Sequence, residues 1–354
     1  MPGNSIGKLF RVSTWGESHG KALGVLIDGC PSGIDLSEKD IQEEIDKRKP
    51  IGVSGTTRRE EDEVEILSGV FEGKTTGSPI SIVVFNKNSR PEDYANIKEI
   101  YRPGHADYTY EQKYAVRDYR GGGRASGRET VARVMAGAVA YKLLKKSKIS
   151  IIGHTIQIGN IKADKFQAKE IENNELKCAD KIATVKMLNL IENIKKENDS
   201  IGGIIEIVIK NVPIGLGEPV FDKLDADLSK AIMSIGGVKG ITIGAGFDTA
   251  LMKGSENNDE YEMKNGKVRT LSNNAGGILG GISSGEDIVL RIAIKAPASI
   301  GITQKSVNSN GKTMNFKIEG RHDVCIVPRV IPVAKSMAAI IIADHLLRQK
   351  AIQE

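Results

Sequence analysis

The amino-acid sequence predicts an α+β fold. Strand-like and helix-like segments follow one another along its 354 residues without the steady strand–helix–strand rhythm of a doubly wound parallel sheet. Several strand-like segments alternate apolar and polar residues, as Ile207 and Ile209 do with Glu206 and Lys210, which is typical of a sheet with two different faces. No internal repeat of fixed period is present in the sequence.

The strand predictions rest on short apolar or alternating runs bounded by turn residues. They cover Gly24–Cys30, Pro79–Asn86, Gly202–Val212, Ile241–Phe247, Asp287–Ala296 and Val324–Ile331.

The helix predictions rest on longer amphipathic or alanine-rich runs. They cover Ser37–Lys49, Arg128–Lys146, Thr184–Glu197, Pro219–Ser234 and Val333–Lys350. Ser37 is the expected N-cap of the first helix, with Asp40 as an acidic residue in its first turn. Pro332 is expected to lie just before the last helix, where its missing N–H is tolerated.

Composition and length favour one globular domain over residues 1–354. Hydrophobic residues make up 40% and charged residues 27%, which excludes a long disordered chain. No Pro- or Ser-rich linker divides the chain, and the stretch at about 145–200, rich in Lys, Glu and Asn, is expected to be a peripheral, solvated segment. The longest apolar run, Met337–Ala343, has seven residues, whereas a membrane span needs about 20.

The remaining totals favour a cytoplasmic protein without a membrane or nucleic-acid partner. The net charge of +5 is weak for a chain of this length. Residues 1–10 lack the apolar core of a signal peptide. Three widely spaced cysteines show neither a disulfide framework nor zinc-ligand spacing, which fits a reducing compartment.

Glycine is in excess, with 39 residues in the chain. Fourteen of them fall in three short windows, Gly121–Gly127, Gly236–Gly246 and Gly276–Gly285. Glycine permits positive φ and close approach of the backbone to another group, so such clusters form either tight turns or loops around a ligand. Three clusters in one chain favour the second interpretation.

The first glycine cluster carries the clearest chemical signal. It enters an alanine-rich run that reads as a helix, and a glycine loop at a helix N-terminus offers unpaired N–H groups to an anion. Arg120, Arg124 and Arg128 add positive charge suited to phosphate. A solvated turn and an RNA-binding Arg-Gly tract are the alternatives, and neither GxGxxG nor GxxxxGK[ST] occurs.

Three of the five histidines lie in polar, glycine- or arginine-rich surroundings: His19, His105 and His322. Histidine is the side chain best matched to proton transfer near neutral pH, and beside a bound phosphate it could protonate a leaving phosphate. His154 and His345 are expected to be structural. No HExxH or paired-histidine spacing supports a metal site.

Together these blocks resemble the chorismate synthase family, over about residues 7–343. The motifs that carry the resemblance are Gly16–Gly20 followed by Asp28–Pro31, Gly123–Thr130, and Gly320–Asp323 through Arg329, with Glu65–Val70 and Arg102–Asp107 as further blocks. The resemblance implies a β-α-β sandwich with antiparallel sheets and flanking helices, assembled as a homotetramer. It also implies a 1,4-elimination of phosphate from 5-enolpyruvylshikimate 3-phosphate to give chorismate, the last shared step toward the aromatic amino acids, with reduced FMN required and no net redox change.

By motif position, the resemblance implies roles for individual residues. His19 would protonate the departing phosphate, His105 would act near the flavin pyrimidine edge, and Asp323 would assist proton removal through flavin N5. Arg48, Arg128 and Arg321 would hold the charged groups of the substrate or the flavin. The implied FMN residues are Ala125, Ser126, Gly127, Gly236, Gly237, Gly280, Lys295, Ala296, Pro297, Ala298, Ser299 and Arg321, together with Arg48.

The chain departs from the family pattern at a few positions. Ser54 stands where a further arginine is common, Lys295-Ala296-Pro297 replaces Lys-Pro-Thr, Val324 replaces a proline and Lys335 replaces a glutamate. A short chain without an added reductase domain is expected to depend on external flavin reduction, with NADPH acting indirectly through a separate reductase, although the sequence leaves open whether the chain reduces its own flavin. A nucleotide- or RNA-binding protein and a conventional flavin oxidoreductase are the competing hypotheses.

Overall fold

The computed structural model describes residues 3–49, 62–87, 98–318 and 322–352. The strands within these ranges, in chain order, are β1 Ser5–Ile6, β2 Arg11–Gly16, β3 Ala22–Asp28, β4 Val64–Ser68, β5 Val70–Phe71, β6 Lys74–Thr75, β7 Ile80–Phe85, β8 Ser150–Ile158, β9 Ile161–Lys162, β10 Gly203–Lys210, β11 Val238–Ile243, β12 Tyr261–Lys264, β13 Lys267–Thr270, β14 Ile278–Leu279, β15 Ile282–Ser283, β16 Ile288–Ile294, β17 Gln304–Val307 and β18 Thr313–Phe316. The α-helices are α1 Glu38–Asp46, α2 Asp107–Tyr114, α3 Thr130–Lys146, α4 Lys181–Lys196, α5 Leu224–Met233, α6 Gly254–Asn257 and α7 Val327–Ile352.

Two antiparallel five-stranded sheets form the framework. The first has the order β1-β2-β3-β7-β4 and the second the order β11-β16-β10-β8-β9. In the second sheet the buried Ile205, Ile207 and Ile209 of β10 pair in register with Ile292, Leu290 and Ile288 of β16. The alternation read from the sequence therefore places one face of this sheet in the core.

Helices fill the space between the sheets. Helix α3 packs on β2 and β3, helix α7 packs on β8 and β10, and α3 and α7 pack on each other. A β-carbon on Gly137 of α3 would overlap Ser336 of α7, so glycine allows the two helices to cross closely. One continuous core joins residues of both sheets and both helices, which confirms the α+β class and the sandwich arrangement.

Helix α7 is mostly apolar and is buried along most of its length. It is long and apolar enough to cross a membrane by length and composition, but 89% of its most apolar window lies inside the fold. Its Asp344 is 2% exposed and accepts the N–H groups of Lys8, Leu9 and Phe10 at 2.9, 2.7 and 2.8 Å. The helix thereby anchors the opposite end of the chain.

Two sequence expectations fail at this helix. The segment Val324–Ile331 is not a strand, because α7 begins at Val327, and Pro332 lies inside the helix instead of before it. A short apolar run fits a buried strand and a buried helix equally well by periodicity, which explains the error.

The segment 145–200 is peripheral only in part. Its strand β8 pairs with β10 and β9 inside the second sheet, and Thr155 and Ile158 are fully buried. Helix α4 covers the outer part, with Asp180 as its N-cap. The Lys- and Glu-rich composition reflects that exposed helix and not the strand before it.

Candidate active site

The loop after β2 carries His19. This histidine is 7% exposed, and its Nδ1 lies 3.1 Å from the hydroxyl of Ser18. The glycine loop passes directly behind the ring, and a β-carbon on Gly121 would overlap the imidazole. Glycine is required at this position both for that contact and for its φ of +62°.

The glycine loop keeps a left-handed path from Gly121 to Gly123, with φ values of +62°, +87° and +53°. It then forms the short 3-10 turn Gly127–Glu129, whose N-cap Ser126 accepts the N–H of Arg128 at 3.3 Å. Helix α3 follows at Thr130. The predicted glycine loop at a helix entrance is therefore present.

Arg128 and Arg48 converge on one buried carboxylate. Nη1 of Arg128 donates to Oδ2 of Asp62 at 2.7 Å, and Nη2 of Arg48 lies 3.6 Å from the same oxygen. Arg48 and Asp62 are each 5% exposed. Among the described residues, the two guanidinium groups share this one carboxylate, and guanidinium groups are well suited to hold an anion.

Asn86, directly after β7, connects this cluster to the histidine loop. Its Oδ1 accepts from Nε and Nη2 of Arg128 at 3.3 and 3.0 Å. Its Nδ2 donates to the carbonyls of Glu17 and Gly20 at 3.2 and 2.8 Å. Hydrogen bonds of Asn86 and the ion pairs of Asp62 therefore connect the His19 loop to Arg128 and Arg48.

The other two arginines of the glycine loop are engaged elsewhere. Arg120 pairs with Asp118 at 2.8 Å, and although partial burial opposes it, this hydrogen bond lowers the pKa of the Asp118 carboxyl. Arg124 donates to the carbonyls of Gly16 and Thr14 at 3.2 Å each. Arg124 thus ties the loop to β2 and is not directed at a phosphate.

His105 lies in a second loop that is closed by an ion pair. Arg102 donates to both carboxylate oxygens of the buried Asp107, at 2.7 and 2.8 Å. Nδ1 of His105 lies 3.0 Å from the carbonyl of Pro103, and Nε2 lies 3.0 Å from the hydroxyl of Ser299. Burial, and then the positive charge of Arg102, lower the pKa of His105.

The segment 295–299 packs against this second loop. Nζ of Lys295 donates to the carbonyl of Gly104 at 2.8 Å, and its backbone N–H donates to the carbonyl of Gly237 at 2.9 Å. A β-carbon on Gly104 would come within 2.8 Å of the Ala298 side chain. His105, Gly237 and the segment 295–299 therefore form one group.

Asp323 borders the same group. The next residue, Val324, accepts the N–H of Ile201 at 2.9 Å, and the neighbouring Ser200 donates to the carbonyl of Pro297 at 2.6 Å. The Asp323 carboxylate pairs with Arg329 in the first turns of α7. These contacts connect the chain at Asp323 to the segment 295–299 that packs against the His105 loop.

Two observations relate the glycine loop to the loop that carries His105 and to the chain near Gly236. Nη2 of Arg102 lies 3.6 Å from the position that a β-carbon on Gly122 would take. Arg133 bridges Glu129 at 2.9 Å and the hydroxyl of Ser234 at 2.6 Å, which brings the end of the glycine loop toward Gly236.

Gly280 is not part of either group. It forms the turn between β14 and β15, and the next carbonyl, of Gly281, accepts the N–H of Leu224 where α5 begins. Gly236 follows the other end of α5, ten residues or about 15 Å away along the axis. Arg321 and Ser54 lie outside the described residues.

A cleft of about 730 Å³ is lined in part by Gly122 and Gly123 of the glycine loop and by Glu17 of the histidine loop. Trp15, Tyr110, Tyr114, Arg117 and Arg133 contribute to its walls. Some of its charged groups pair with each other, as Arg117 does with Asp107 at 3.3 Å.

Comparison with known proteins identifies the family. A family model described as chorismate synthase matches residues 10–347. The chorismate synthase of Chloroflexus aurantiacus is 51% identical over 353 residues, covering 99% of this chain and 97% of that protein. That of Methanosarcina mazei is 53% identical over 355 residues, covering 98% and 97%. A crystal structure of chorismate synthase superimposes with a TM-score of 0.77 at 32% identity, covering 97% of this chain and 93% of that one.

The chain belongs to the chorismate synthase family. The activity that the name denotes is that of a carbon–oxygen lyase acting on phosphates, in the shikimate pathway.

Sequence reasoning missed two polar residues that organise this candidate site. Asp62 stands in an acidic run that reads as a solvated surface, although it is buried against two arginines. Asn86 closes the predicted strand Pro79–Asn86 and carries no motif of its own. The position of Asn86 at the end of a strand could have marked it as a candidate site residue. That position becomes informative only once the pairing of the strand places it beside the histidine loop.

Proposed function

We propose that this chain catalyses the anti-1,4-elimination of phosphate from 5-enolpyruvylshikimate 3-phosphate to give chorismate, with reduced FMN bound. Family membership supports the reaction class. The observation that carries the assignment to this site is the convergence of His19, Arg48 and Arg128 through Asp62 and Asn86.

The arginine cluster fits an anionic substrate. The substrate carries a phosphate and two carboxylates, and guanidinium groups bind such anions through paired hydrogen bonds. Arg48 and Arg128 are already oriented by Asp62, so little side-chain entropy remains to be lost on binding. Arg321 is proposed to join them.

His19 is proposed to act as the general acid. Its ring is fixed between Ser18 and the glycine loop, so its orientation does not have to be selected on each turnover. Donating a proton to the departing phosphate stabilises the leaving group as its bond to carbon breaks. Asp323 is proposed to assist the removal of the proton from the substrate's carbon ring.

The second group of residues fits FMN. Positive-φ glycine backbone at Gly237, the ammonium of Lys295 and the hydroxyl of Ser299 offer a close backbone surface, a cation and hydrogen-bonding groups for a flavin with its phosphate. When bound, reduced FMN supplies transient electron density that assists departure of the phosphate, without net redox change. Burial and the positive charge of Arg102 lower the pKa of His105 and so favour its neutral form. We propose that this neutral imidazole lies beside the flavin, where it can donate one hydrogen bond and accept another.

The proposal includes further FMN residues, one of which, Gly280, lies apart from both groups within this chain. The others are Ala125, Ser126, Gly127, Gly236, Ala296, Pro297, Ala298, Arg48 and Arg321. We also propose a cytoplasmic homotetramer, reduction of its flavin by a separate NADPH-dependent reductase, and no nucleic-acid or membrane partner. The internal engagement of Arg120 and Arg124 supports this over an RNA-binding Arg-Gly tract.

An anaerobic assay tests the proposal. The purified chain is incubated with 5-enolpyruvylshikimate 3-phosphate and chemically reduced FMN, oxidised FMN, or oxidised FMN with NADPH, and chorismate is quantified. We expect turnover only with reduced FMN and no stoichiometric loss of reducing equivalents. NADPH consumption equal to product would instead indicate an oxidoreductase. Salt-dependent binding of RNA without chorismate formation would support the nucleic-acid hypothesis.

A further inference from the structure

Asn86 lies between the His19 loop and Arg128, and both the oxygen and the nitrogen of its side-chain amide make hydrogen bonds there. Its oxygen accepts two N–H groups of Arg128, and its nitrogen donates to the carbonyls of Glu17 and Gly20. Those carbonyls flank Ser18 and His19 in the chain. Its backbone N–H also donates to the carbonyl of Lys21 at 3.0 Å.

The amide fixes the polarity of this junction. A guanidinium requires an acceptor and a pair of carbonyls requires donors, so only one orientation of the amide satisfies all four contacts. A carboxylate of the same shape would satisfy Arg128 but would place negative charge against two carbonyl oxygens. Side chains without a donor and an acceptor would leave at least one side unpaired.

We propose that Asn86 is a positioning residue that sets the His19 loop relative to Arg128. The inference rests on the proposed function, in which Arg128 holds the substrate and His19 protonates its leaving group. Since proton transfer requires a defined distance between donor and leaving oxygen, a shift of the loop affects the chemical step more than binding.

A purely structural role makes a different prediction. Asn86 also ends β7, which pairs with β3, and it could simply close this end of the first sheet. Substitution would then lower stability and reduce activity whether or not His19 is present.

The test uses Asn86→Asp and Asn86→Ala in the full chain. Asn174→Asp is the matched control, because the Asn174 amide also donates to two carbonyls, Glu170 at 2.5 Å and Cys178 at 2.8 Å, and accepts a backbone N–H. Asn174 lies between β9 and α4, in a part of the chain that contributes none of the proposed site residues. With chemically reduced FMN, we expect kcat to fall about 100-fold in both Asn86 variants, with KM changed less than about threefold. The control is expected to keep wild-type kcat.

A double-mutant cycle with His19→Ala separates the two roles. If Asn86 acts through His19, adding Asn86→Asp to His19→Ala lowers kcat by less than about threefold. A full 100-fold loss in the His19→Ala background would overturn the proposal, as would a loss confined to KM.

The histidine NMR signals give a readout that does not depend on turnover. The chain has only five histidines, so the ring signals of His19 can be assigned by their loss in a His19→Gln variant. We expect Asn86→Asp to shift these signals and Asn174→Asp to leave them unchanged. If Asn86→Asp shifts the His19 signals and Asn174→Asp does not, but the wild-type protein forms no chorismate, the proposed function would be rejected and the positioning role supported. Unshifted His19 signals in folded Asn86→Asp and Asn86→Ala proteins would reject the positioning role.

Discussion

The His19 region and the His105 region solve the problem of placing a histidine in different ways. Around His19, charged side chains are buried against each other, and Asp62, Arg48 and Arg128 depend on one another. Around His105, the contacts are mainly to backbone carbonyls and small side chains, such as those of Pro103 and Ser299. The first region therefore joins the His19 loop to a buried cluster of charged side chains. In the second region the His105 ring itself contacts a carbonyl and a hydroxyl, and the buried Arg102–Asp107 ion pair closes the loop that carries it.

Removing one member of the charged region should have the largest effect. We expect Arg128→Ala to lower kcat/KM by about 1,000-fold and to destabilise the fold by about 3 kcal/mol, because Asp62 keeps only its longer contact with Arg48. Steady-state kinetics and urea unfolding measure these changes.

Arg120→Ala is the matched control, since Arg120 pairs with Asp118 at a side chain that is 40% exposed. Its loss should cost less than about 1 kcal/mol. Equal destabilisation by the two substitutions would contradict the contrast drawn between buried and exposed pairs.

Gly121→Ala tests how closely the glycine loop holds the His19 ring. The added β-carbon would overlap the imidazole and occupy a left-handed conformation, so we expect about 2–3 kcal/mol of destabilisation and a fall in kcat. Gly73→Ala introduces the same conformational strain, at a φ of +72°, with no atom within 4 Å. The control should lose only about 1–2 kcal/mol and keep its kcat; identical kcat values in the two variants would show that the loop does not constrain His19.

The His105 region should respond to pH. The pKa of the His105 imidazole is lowered in the folded chain. At pH values just below the ordinary histidine pKa of about 6.5, the folded state therefore binds fewer protons than the unfolded state. Stability should therefore decrease as the pH falls through this range, and His105→Gln should remove that part of the decrease. Denaturant unfolding between pH 7 and pH 5 measures it, and an NMR titration midpoint for His105 above the ordinary value would show the opposite sign.

The smallest effect is expected away from both regions, at Lys335. Burial lowers the pKa of this lysine, which is surrounded by Glu44, Lys47, Glu172 and Lys177. The folded state is thus penalised while the ammonium is charged, and this penalty decreases as the pH rises toward the ordinary lysine value. Lys335→Met should stabilise the fold by up to about 1 kcal/mol at pH 7, and by less at pH 9.

Thermal unfolding at the two pH values measures the Lys335 effect. Lys312→Met, at an exposed position, should change the stability little at either pH. A wild-type protein more stable than Lys335→Met at pH 7 would show that the surrounding carboxylates outweigh burial.

The fold class could be predicted from the sequence because the apolar–polar alternation of β10 and the alanine-rich run of α3 are local patterns. It did not distinguish strand from helix at Val324–Ile331, because a buried segment has no polar face to set a period. The motif residues His19, His105 and Arg128 could be named in advance. Asp62 and Asn86 could not, because their partners are 66 and 42 residues away from them along the chain.

The binding of Asp344 to the N–H groups of Lys8, Leu9 and Phe10 has a consequence for synthesis of the chain. Until α7 has been synthesised, the fold lacks one of the two helices that pack between the sheets. The apolar faces of β8 and β10 that α7 covers, and the side of α3 that it contacts, then have no partner from this helix. A product truncated before residue 344 therefore lacks the carboxylate that holds Lys8, Leu9 and Phe10, and chaperones and proteases are expected to recognise it as unfinished.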